Sequence, residues 1–335
     1  MNTRITFLLI FFLLTGVFNL AMGQVKIGII GLDTSHSTAF TKFLNGEDKK
    51  EEFKDFRIVA AYPYGSKTIK SSFDRIPGYT KQVEELGVEI VPSIAELLKK
   101  VDCVLLETND GNLHLEQANE VFKSGKIMFI DKPIGASLAQ TIAIFELSKK
   151  YNVPIFTSSA LRFVKQAQKL RNGELGRVIG ADCYSPATSE PSHPDFGWYG
   201  IHGVETLFTV MGTGCVSVNR MSADSTDVVV GKWADGRIGT FRGIQQGKSG
   251  YGGTAFTTSG IVLVGTYEGY ESLLSEILNF FRTRVVPVSE KETIEIFTFM
   301  EASNESGRKG GKIISMNETY RKGVKDAQKL IRKLR

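Results

Sequence analysis

The chain has 335 residues, of which 42% are hydrophobic, 23% are charged and 10% are aromatic. This composition is typical of a globular protein long enough for two domains, and it excludes an intrinsically disordered chain. The formal net charge of +5 is too small and too dispersed to indicate nucleic-acid binding.

An apolar segment opens the chain. Residues 1–23 carry one charged side chain, Arg4, then a long apolar run, and they end in the small-x-small sequence AMG. This pattern predicts a Sec-type signal peptide that is cleaved before Gln24. A retained membrane anchor is the alternative, but the segment lacks a basic stop-transfer flank. We therefore expect a periplasmic or secreted protein with no membrane span after signal removal.

From Lys26 to about Phe156, short apolar runs alternate with stretches of helical period. The apolar runs are VKIGII, FRIVAAY, VEIVP, VDCVLLE, KIMFID and VPIFTSS. Because they lack clean two-residue alternation and are joined by helices, they predict a parallel sheet covered on both faces. Residues 24–157 should therefore form a doubly wound α/β (Rossmann) domain, in which ligands bind beyond the carboxyl ends of the strands.

The second half of the chain has a different pattern. After about Leu161, the segments VSVNRMSAD, DVVVGKWADG, RIGTFRGIQ and TSGIVLVGTYEG are typical of strands separated by turns. They predict a largely antiparallel sheet, with helices near 202–211 and 270–283, and hence an α+β domain over residues 158–335. The last segment, YRKGVKDAQKLIRKLR, has apolar residues at helical spacing and predicts a C-terminal helix with a solvated basic face.

The three cysteines do not indicate a metal cluster, because they are odd in number and lack metal-type spacing. Cys103 lies in a predicted buried strand. A disulfide between Cys183 and Cys215 is compatible with an oxidising compartment, but the sequence does not decide whether they pair.

Several segments together resemble one known family. In chain order they are GIIGL, HLEQANEVFKSGKIMFIDKPIGASLAQT, ALRF, YGIHGVETLFTVMG and EASNESGRKGGKI. They resemble the Gfo/Idh/MocA oxidoreductases (glucose–fructose oxidoreductase, inositol dehydrogenase and relatives) over nearly the whole chain after the signal. The resemblance implies a first domain that holds NAD or NADP. It also implies a second domain that covers a sugar or cyclitol substrate and forms a homo-oligomer interface through its sheet.

The resemblance places the catalytic lysine of the family at Lys132, in the sequence DKP, and its catalytic histidine at His202. Hydride transfer from a carbinol needs a base near the hydroxyl and a cation near the developing alkoxide. Histidine can act as the base near neutral pH, and lysine can supply the positive charge. Glu205 follows His202 by three residues on the same predicted helical face, so we expect it to orient or polarise the imidazole.

The candidate cofactor-binding residues follow predicted strands and are Gly31, Thr34, Ser35, His36, Ser66, Lys67, Asn109 and Lys132. Of the G-x-G-x-x-G fingerprint only Gly31 is present. Asp33 stands where a phosphate should lie, and like charges about 4 Å apart cost roughly 1 to 4 kcal/mol. Cofactor binding therefore requires Asp33 to turn away, for example by capping the next helix, which would leave helix amides for the phosphate.

The end of the second predicted strand bears on the choice between NAD and NADP. Tyr62 stands where an acidic residue would bind the ribose hydroxyls of NAD. Ser66 and Lys67 could instead receive the extra phosphate of NADP, which favours NADP, although an ordinary turn explains them as well.

Two further residues are candidates for substrate binding. Arg162, in ALRF, either binds a polar substrate or pairs with a carboxylate. Trp198 lies four residues before His202, where the family usually has an aspartate, and its ring could stack on a sugar.

Two alternatives to the oxidoreductase remain. Asp33, Tyr62 and Trp198 favour an exported family member that has lost nicotinamide binding and acts as a carbohydrate-binding protein or a cofactor-independent enzyme. A metal-assisted enzyme would use two pairs of possible ligands at i, i+3 spacing, Asp33 with His36 and His202 with Glu205. Because cysteine partners are lacking and proximity is unproven, the sequence assigns no metal site.

Overall fold

The computed structural model describes residues 23–334. The predicted signal peptide and its export therefore lie outside the described residues, except for Gly23. Within residues 23–334, no helix is both long enough and apolar enough to cross a membrane.

The first half of the chain forms a six-stranded parallel sheet with the order β3-β2-β1-β4-β5-β6. Its strands are β1 (Val25–Ile30), β2 (Phe56–Tyr62), β3 (Glu89–Ile90), β4 (Cys103–Leu106), β5 (Ile127–Ile130) and β6 (Ile155–Phe156). The strand order reverses between β1 and β4, which is the point where doubly wound sheets bind ligands. The predicted doubly wound domain is confirmed.

Helices cover both faces of this sheet. They are α1 (Ser35–Asn45), α2 (Lys70–Phe73), α3 (Ile76–Glu85), α4 (Ile94–Leu98), α5 (Gly111–Lys123) and α6 (Leu138–Tyr151). A short polar side chain caps α1, α4, α5 and α6 by accepting a hydrogen bond from an amide of the first turn. These caps fix the helix N-termini of α1 and α5 beside the carboxyl ends of β1 and β4.

The second half forms a seven-stranded sheet with the order β12-β11-β7-β10-β9-β8-β13. Its strands are β7 (Val178–Pro186), β8 (Cys215–Ala223), β9 (Thr226–Trp233), β10 (Ile238–Ile244), β11 (Gly252–Thr257), β12 (Gly260–Leu263) and β13 (Ile314–Ser315). Only β7 and β10 pair in parallel, and the other neighbours are antiparallel. The predicted α+β domain with a largely antiparallel sheet is confirmed.

The remaining helices are α7 (Lys165–Arg171), α8 (Gly200–Met211), α9 (Glu271–Thr283), α10 (Glu290–Arg308) and α11 (Met316–Lys333). Those predicted near 202–211 and 270–283 correspond to α8 and α9, and the predicted C-terminal helix is α11. The apolar side of α9, including Leu274 and Ile277, joins the core below the first sheet, and α11 packs on α6. The cores therefore extend across the domain boundary predicted after residue 157.

The three cysteines are buried and free. Cys103 lies in β4, Cys183 in β7 and Cys215 in β8. The disulfide considered between Cys183 and Cys215 is not formed in this structure.

Candidate active site

A cavity of ≈ 330 Å³ lies between the carboxyl ends of the first sheet and the second domain. Its volume is at the lower end of the range, about 300–1,000 Å³, that is typical of ligand pockets. Seven of the residues selected from the sequence line it together, namely Thr34, Ser35, His36, Asn109, Lys132, Trp198 and His202. These seven residues therefore meet at the edge of the sheet where ligands were expected.

Lys132 follows β5 and lines this cavity. Burial disfavours the charged form, but the negative charge of Asp131 and the nearby hydroxyls of Tyr270 and Tyr199 outweigh it, so the pKa of Lys132 lies above its ordinary value. Its Nζ is 3.8 Å from Asp131 Oδ2. Lys132 is therefore a fixed positive charge at neutral pH rather than a base.

His202, in the first turn of α8, has the opposite character. Burial lowers its pKa well below 6.5, and the positive charges of Lys132 and His36 lower it further. Its Nδ1 is 2.7 Å from Ser159 Oγ. The ring is therefore neutral at neutral pH, and in the tautomer whose Nδ1–H donates to Ser159, Nε2 carries the lone pair that a base requires.

Glu205 does not contact His202, so the prediction that it directly orients the imidazole is wrong. Its Oε1 accepts hydrogen bonds from Ser158 Oγ (2.6 Å) and Arg162 Nε (2.7 Å), and its Oε2 accepts one from the amide of Ser159 (2.9 Å). Glu205 instead fixes the segment that carries the hydroxyl partner of His202. Helical spacing placed the carboxylate on the correct face but could not identify the buried arginine that competes for it.

The prediction that Arg162 binds substrate is also wrong, and the carboxylate-pairing alternative holds. Arg162 is 2% exposed and does not line the cavity. Besides Glu205 it contacts Glu292, whose Oε1 accepts a hydrogen bond from Nη1 at 2.7 Å. The guanidinium joins the segment after β6 to α8 and α10.

The turn after β1 is suited to close approach of a ligand. Gly31 has φ of +94°, and a Cβ at this position would lie 2.4 Å from the backbone nitrogen of Thr108. A side chain there is excluded by both backbone strain and contact. The next helix, α1, is capped by Thr34, whose Oγ1 accepts from the amide of His36.

Asp33 turns away from the cavity, but not by capping α1 as considered above. Its buried carboxylate accepts hydrogen bonds from the amides of Asn109 (3.0 Å) and Ser66 (3.2 Å), and so links the loops after β4 and β2. Burial raises its pKa to about 6, against the lowering effect of these amides, and Asp110 adds to the rise. Asp33 is not among the residues that line the cavity.

The prediction that Ser66 receives a phosphate of NADP is wrong, because its polar groups are engaged elsewhere. Its hydroxyl donates to Asp110 Oδ2 (2.9 Å), and its amide donates to Asp33. Lys67 is exposed over the ring of Tyr64, outside the cavity lining. The loop is a structural turn at these positions.

Arg75, which sequence reasoning missed, also lines the cavity. It precedes α3, and within residues 23–334 it forms no salt bridge, so its charge is available to a ligand. No motif in the surrounding sequence SSFDRIPG marks it.

A group of buried charges lies beside Lys132, and of its members only His36 lines the cavity. His36 Nδ1 is 3.0 Å from Asp131 Oδ1 and 3.5 Å from Glu107 Oε2. Burial disfavours the imidazolium, but the two carboxylates outweigh it and raise the pKa of His36 to about 10. Burial together with Asp131 raises the pKa of Glu107 to about 7. Burial opposes ionisation of Asp131, but His36 and Lys132 hold its pKa below the ordinary value.

The pairs considered as metal ligands from the sequence are not formed. Asp33 is bound to the two loop amides rather than placed beside His36, and Glu205 is bound to Arg162 rather than placed beside His202. Sequence reasoning missed Glu107, which ends the apolar run VDCVLLE. Only its position at the end of a predicted strand marks it as a possible site residue.

Aromatic side chains form much of the remaining cavity wall. They are Trp198, Tyr199, Tyr251, Tyr267 and Tyr270. The ring centroids of Tyr270 and His36 are 4.4 Å apart, and those of Tyr251 and His202 are 5.5 Å apart. Except for Trp198, these residues were missed, because they are scattered through the second half without a spacing pattern.

Residues 25–159 match the model of the oxidoreductase family with an NAD-binding Rossmann fold, Gfo/Idh/MocA. Over these residues the chain is similar to the Gfo/Idh/MocA family. The matched segment contains Gly31, His36, Asn109 and Lys132, so the similarity covers the sheet edge at which they meet.

Among curated relatives, the chain is 31% identical over 122 residues to an uncharacterized oxidoreductase of Streptococcus pneumoniae. This match covers 34% of the chain and 32% of the relative. Over 138 residues it is 23% identical to the uncharacterized oxidoreductase YhhX of Escherichia coli, covering 37% of the chain and 40% of the relative. The chain thus spans about a third to two fifths of the length of these relatives.

Solved structures show the same fold over most of the chain. A probable dehydrogenase from Thermotoga maritima has a TM-score of 0.72 and 20% identity, and the match covers 88% of this chain and all of that one. A scyllo-inositol dehydrogenase from Lactobacillus casei, with bound NAD(H) and scyllo-inositol, has a TM-score of 0.70 and 17% identity. That match covers 88% of this chain and 99% of the other.

Proposed function

We propose that the protein is an NAD(P)-dependent oxidoreductase acting on the CH–OH group of a sugar, a cyclitol or a derivative. One observation carries the proposal: the ammonium of Lys132 and the neutral imidazole of His202 line one cavity at the switch point of a doubly wound sheet. These are the cation and the base that oxidation of an alcohol requires.

Three features of the sheet edge support dinucleotide binding. Asp33 lies outside the cavity lining, Gly31 leaves the turn after β1 open, and the N-terminus of α1 lies at the cavity wall. The α1 amides would hold a phosphate, while Asn109 and Lys132 would lie beside the nicotinamide. The chemistry that NAD(P) supplies when bound is hydride transfer. Since Ser66 and Lys67 do not form the expected phosphate site, they no longer favour NADP, and Arg75 is the remaining cation that could select it.

The chain's own residues handle the proton and the charge. His202 accepts the hydroxyl proton at Nε2 while Ser159 fixes the ring through Nδ1. Lys132 stabilises the negative charge that develops on the substrate oxygen, and Asp131 holds the ammonium in place at 3.8 Å. In the reverse direction His202 returns the proton to a carbonyl oxygen, while Lys132 stabilises the negative charge on that oxygen.

Aromatic rings and hydroxyl groups on the cavity wall support a polyhydroxylated substrate. Trp198 offers a ring face for the apolar side of a sugar or cyclitol, and the tyrosine hydroxyls can bind its hydroxyl groups. The scyllo-inositol bound in the Lactobacillus casei relative agrees with this substrate class.

A homo-oligomer is supported by the open face of the second sheet. Met221, Ile238, Phe256 and Ile261 expose 36% to 75% of their surface on this face. Such a row of apolar side chains marks an interface. Size-exclusion chromatography with light scattering should therefore find a dimer or a larger assembly, and a monomer would contradict this part of the proposal.

Export through the Sec-type signal is a separate proposal, supported by the apolar segment 1–23 and its AMG end. Cell fractionation with amino-terminal sequencing tests it. A mature protein beginning at Gln24 outside the cytoplasm is expected, whereas an intact Met1 in the cytoplasm would contradict it.

The second candidate is a carbohydrate-binding protein that has lost nicotinamide binding. Tyr62 and Trp198, which stand where the family usually has acidic residues, favour it. The oxidoreductase and the carbohydrate-binding protein predict different effects of Lys132→Ala on the purified protein.

The experiment incubates the protein with NAD+ or NADP+ and a panel of sugars and cyclitols, and follows absorbance of the reduced nicotinamide. Lys132→Ala should abolish turnover while calorimetry still detects cofactor and substrate. Lys123→Ala, on the exposed side of α5, is the matched control and should retain activity. Sugar binding without turnover, unchanged in Lys132→Ala and lost in Trp198→Ala, would favour the second candidate.

A further inference from the structure

The buried group formed by His36, Glu107 and Asp131 takes no part in the proton transfer proposed above. One nitrogen or oxygen atom from each of the three side chains lies within 4.8 Å of the other two. The three residues come from the first turn of α1 and from the ends of β4 and β5, so the sheet edge itself holds them together. The side-chain exposures are 5% for His36 and 0% for both carboxylates.

Several polar atoms of this group lack a hydrogen-bond partner among the described residues. Both oxygens of Glu107 and Oδ2 of Asp131 are unpartnered, and Nδ1 of His36 forms no well-aligned bond. Buried polar atoms are almost always satisfied, because an unpaired one loses its hydration without compensation. An unpartnered carboxylate that is fully buried and directed at an imidazole nitrogen therefore points to a missing ligand.

The separations match those between the ligands of a metal ion. Bonds of about 2.0–2.2 Å from zinc to nitrogen or oxygen place neighbouring ligand atoms about 3.0 Å apart at a right angle and about 3.4 Å apart in a tetrahedron. The observed distances from His36 Nδ1 are 3.0 Å to Asp131 Oδ1 and 3.5 Å to Glu107 Oε2. The third separation, between the two carboxylates, is within 4.8 Å, so a modest side-chain movement brings the three atoms onto one ion.

From this geometry we propose that His36, Glu107 and Asp131 bind a divalent transition-metal ion, of which Zn²⁺ and Mn²⁺ are the leading candidates. Two carboxylates supply the two negative charges that the ion requires, and an imidazole ligand favours zinc or a neighbouring transition metal over Ca²⁺ and Mg²⁺. These three ligands differ from the two ligand pairs considered from the sequence, with which they share only His36.

The site adjoins the cavity through His36. His36 lines the cavity, whereas Glu107 and Asp131 do not, and the ligand atom Nδ1 of His36 is buried. Three protein ligands are the number found in catalytic zinc sites, in which water or substrate completes the coordination, so a small opening beside His36 would give a fourth ligand access. The ion would therefore adjoin the cavity in which the alcohol is proposed to bind.

The test uses the full protein after dialysis against a chelator, with neither cofactor nor substrate. Zn²⁺ and Mn²⁺ are titrated separately in a calorimeter, and Co²⁺ is titrated while its visible absorption is recorded. One ion per chain is expected, together with a cobalt spectrum typical of low coordination number. Since neither turnover nor nicotinamide is involved, this result does not depend on the proposed oxidoreductase activity.

Glu107→Gln keeps the shape of the side chain but removes one anionic ligand, and should weaken binding by about tenfold or more. Glu116→Gln, on the exposed side of α5, is the control and should bind like the wild type. If circular dichroism shows that Glu107→Gln is unfolded, His36→Gln replaces it with the same expectation. Absence of stoichiometric binding by the wild type, or equal binding in the folded variants, would overturn the proposal and leave a proton on His36 as the occupant.

Discussion

Glu205 is the residue whose role differs most between the sequence and the structure, and Glu205→Gln tests the difference. The sequence predicts a group that acts on His202, whereas the structure shows an anchor for Arg162 and for the segment at Ser158 and Ser159. We therefore expect Glu205→Gln to reduce stability more than it reduces the rate of the chemical step.

The size of the effect follows from the three contacts. Removing one partner of a buried ion pair costs about 3–5 kcal/mol. Arg162 keeps its contact with Glu292, and the new amide can still accept from Ser158, so we take about 3 kcal/mol. For domains of 150–250 residues each kcal/mol shifts Tm by about 2–4 °C, which gives a decrease of about 6–12 °C.

Thermal unfolding followed by circular dichroism measures this shift. Glu305→Gln is the matched control, because Glu305 forms its ion pairs with Lys309 and Arg308 on the surface of α10, and its loss should cost at most about 0.5 kcal/mol. An unchanged Tm combined with loss of turnover in Glu205→Gln would refute the anchor role and restore the sequence-based one.

Three further predictions concern His202, Gly31 and Asp33. Because burial and Lys132 depress the pKa of His202, the acid limb of the pH profile of kcat/KM should lie below pH 6.5. This limb should vanish in a His202→Asn variant that retains residual activity. A limb above pH 6.5 would contradict the assignment of His202 as the base. Gly31→Ala should lower the free energy of unfolding, measured in urea, by at least about 1–2 kcal/mol, because φ at Gly31 is +94°. Gly78→Ala is the control and should be tolerated, because a Cβ there meets no atom within 4 Å. The folded-state pKa of Asp33, about 6, exceeds its ordinary 3.8, so its contribution is present below pH 4 and about 3 kcal/mol is lost as the pH rises through 6. Urea unfolding should show the difference in stability between wild type and Asp33→Asn changing by most of this amount from pH 4 to pH 7, and a constant difference would show that the carboxyl is not perturbed.

The strand pattern made the fold predictable. Buried apolar runs such as VDCVLLE, separated by helical stretches, determine a parallel sheet because each strand must be covered on both faces. The ends of these strands then placed Asn109, Lys132 and the α1 turn at one edge. The second sheet was predictable from its turns, although the packing of α9 below the first sheet was not, since an amphipathic helix does not specify which apolar surface it covers.

The parts of the site that were not predictable depend on competition between side chains. Arg162 and Glu205 each had a plausible role at the ligand, but they satisfy one another in the core. Ser66 was placed in a phosphate site although Asp110 and Asp33 bind its polar groups. Sequence spacing identifies which groups share an edge of the sheet, whereas only the structure shows which of them remain available to a ligand.

Cofactor binding is the most direct test of the central claim. The purified protein is denatured, the supernatant is assayed for NAD(H) and NADP(H), and each cofactor is then titrated into the native protein by calorimetry. The position of Asp33 outside the cavity predicts either a stoichiometric cofactor in the supernatant or binding in the micromolar range. Neither released cofactor nor detectable binding at millimolar concentration would contradict the oxidoreductase, and would leave Lys132 and His202 as parts of a carbohydrate site.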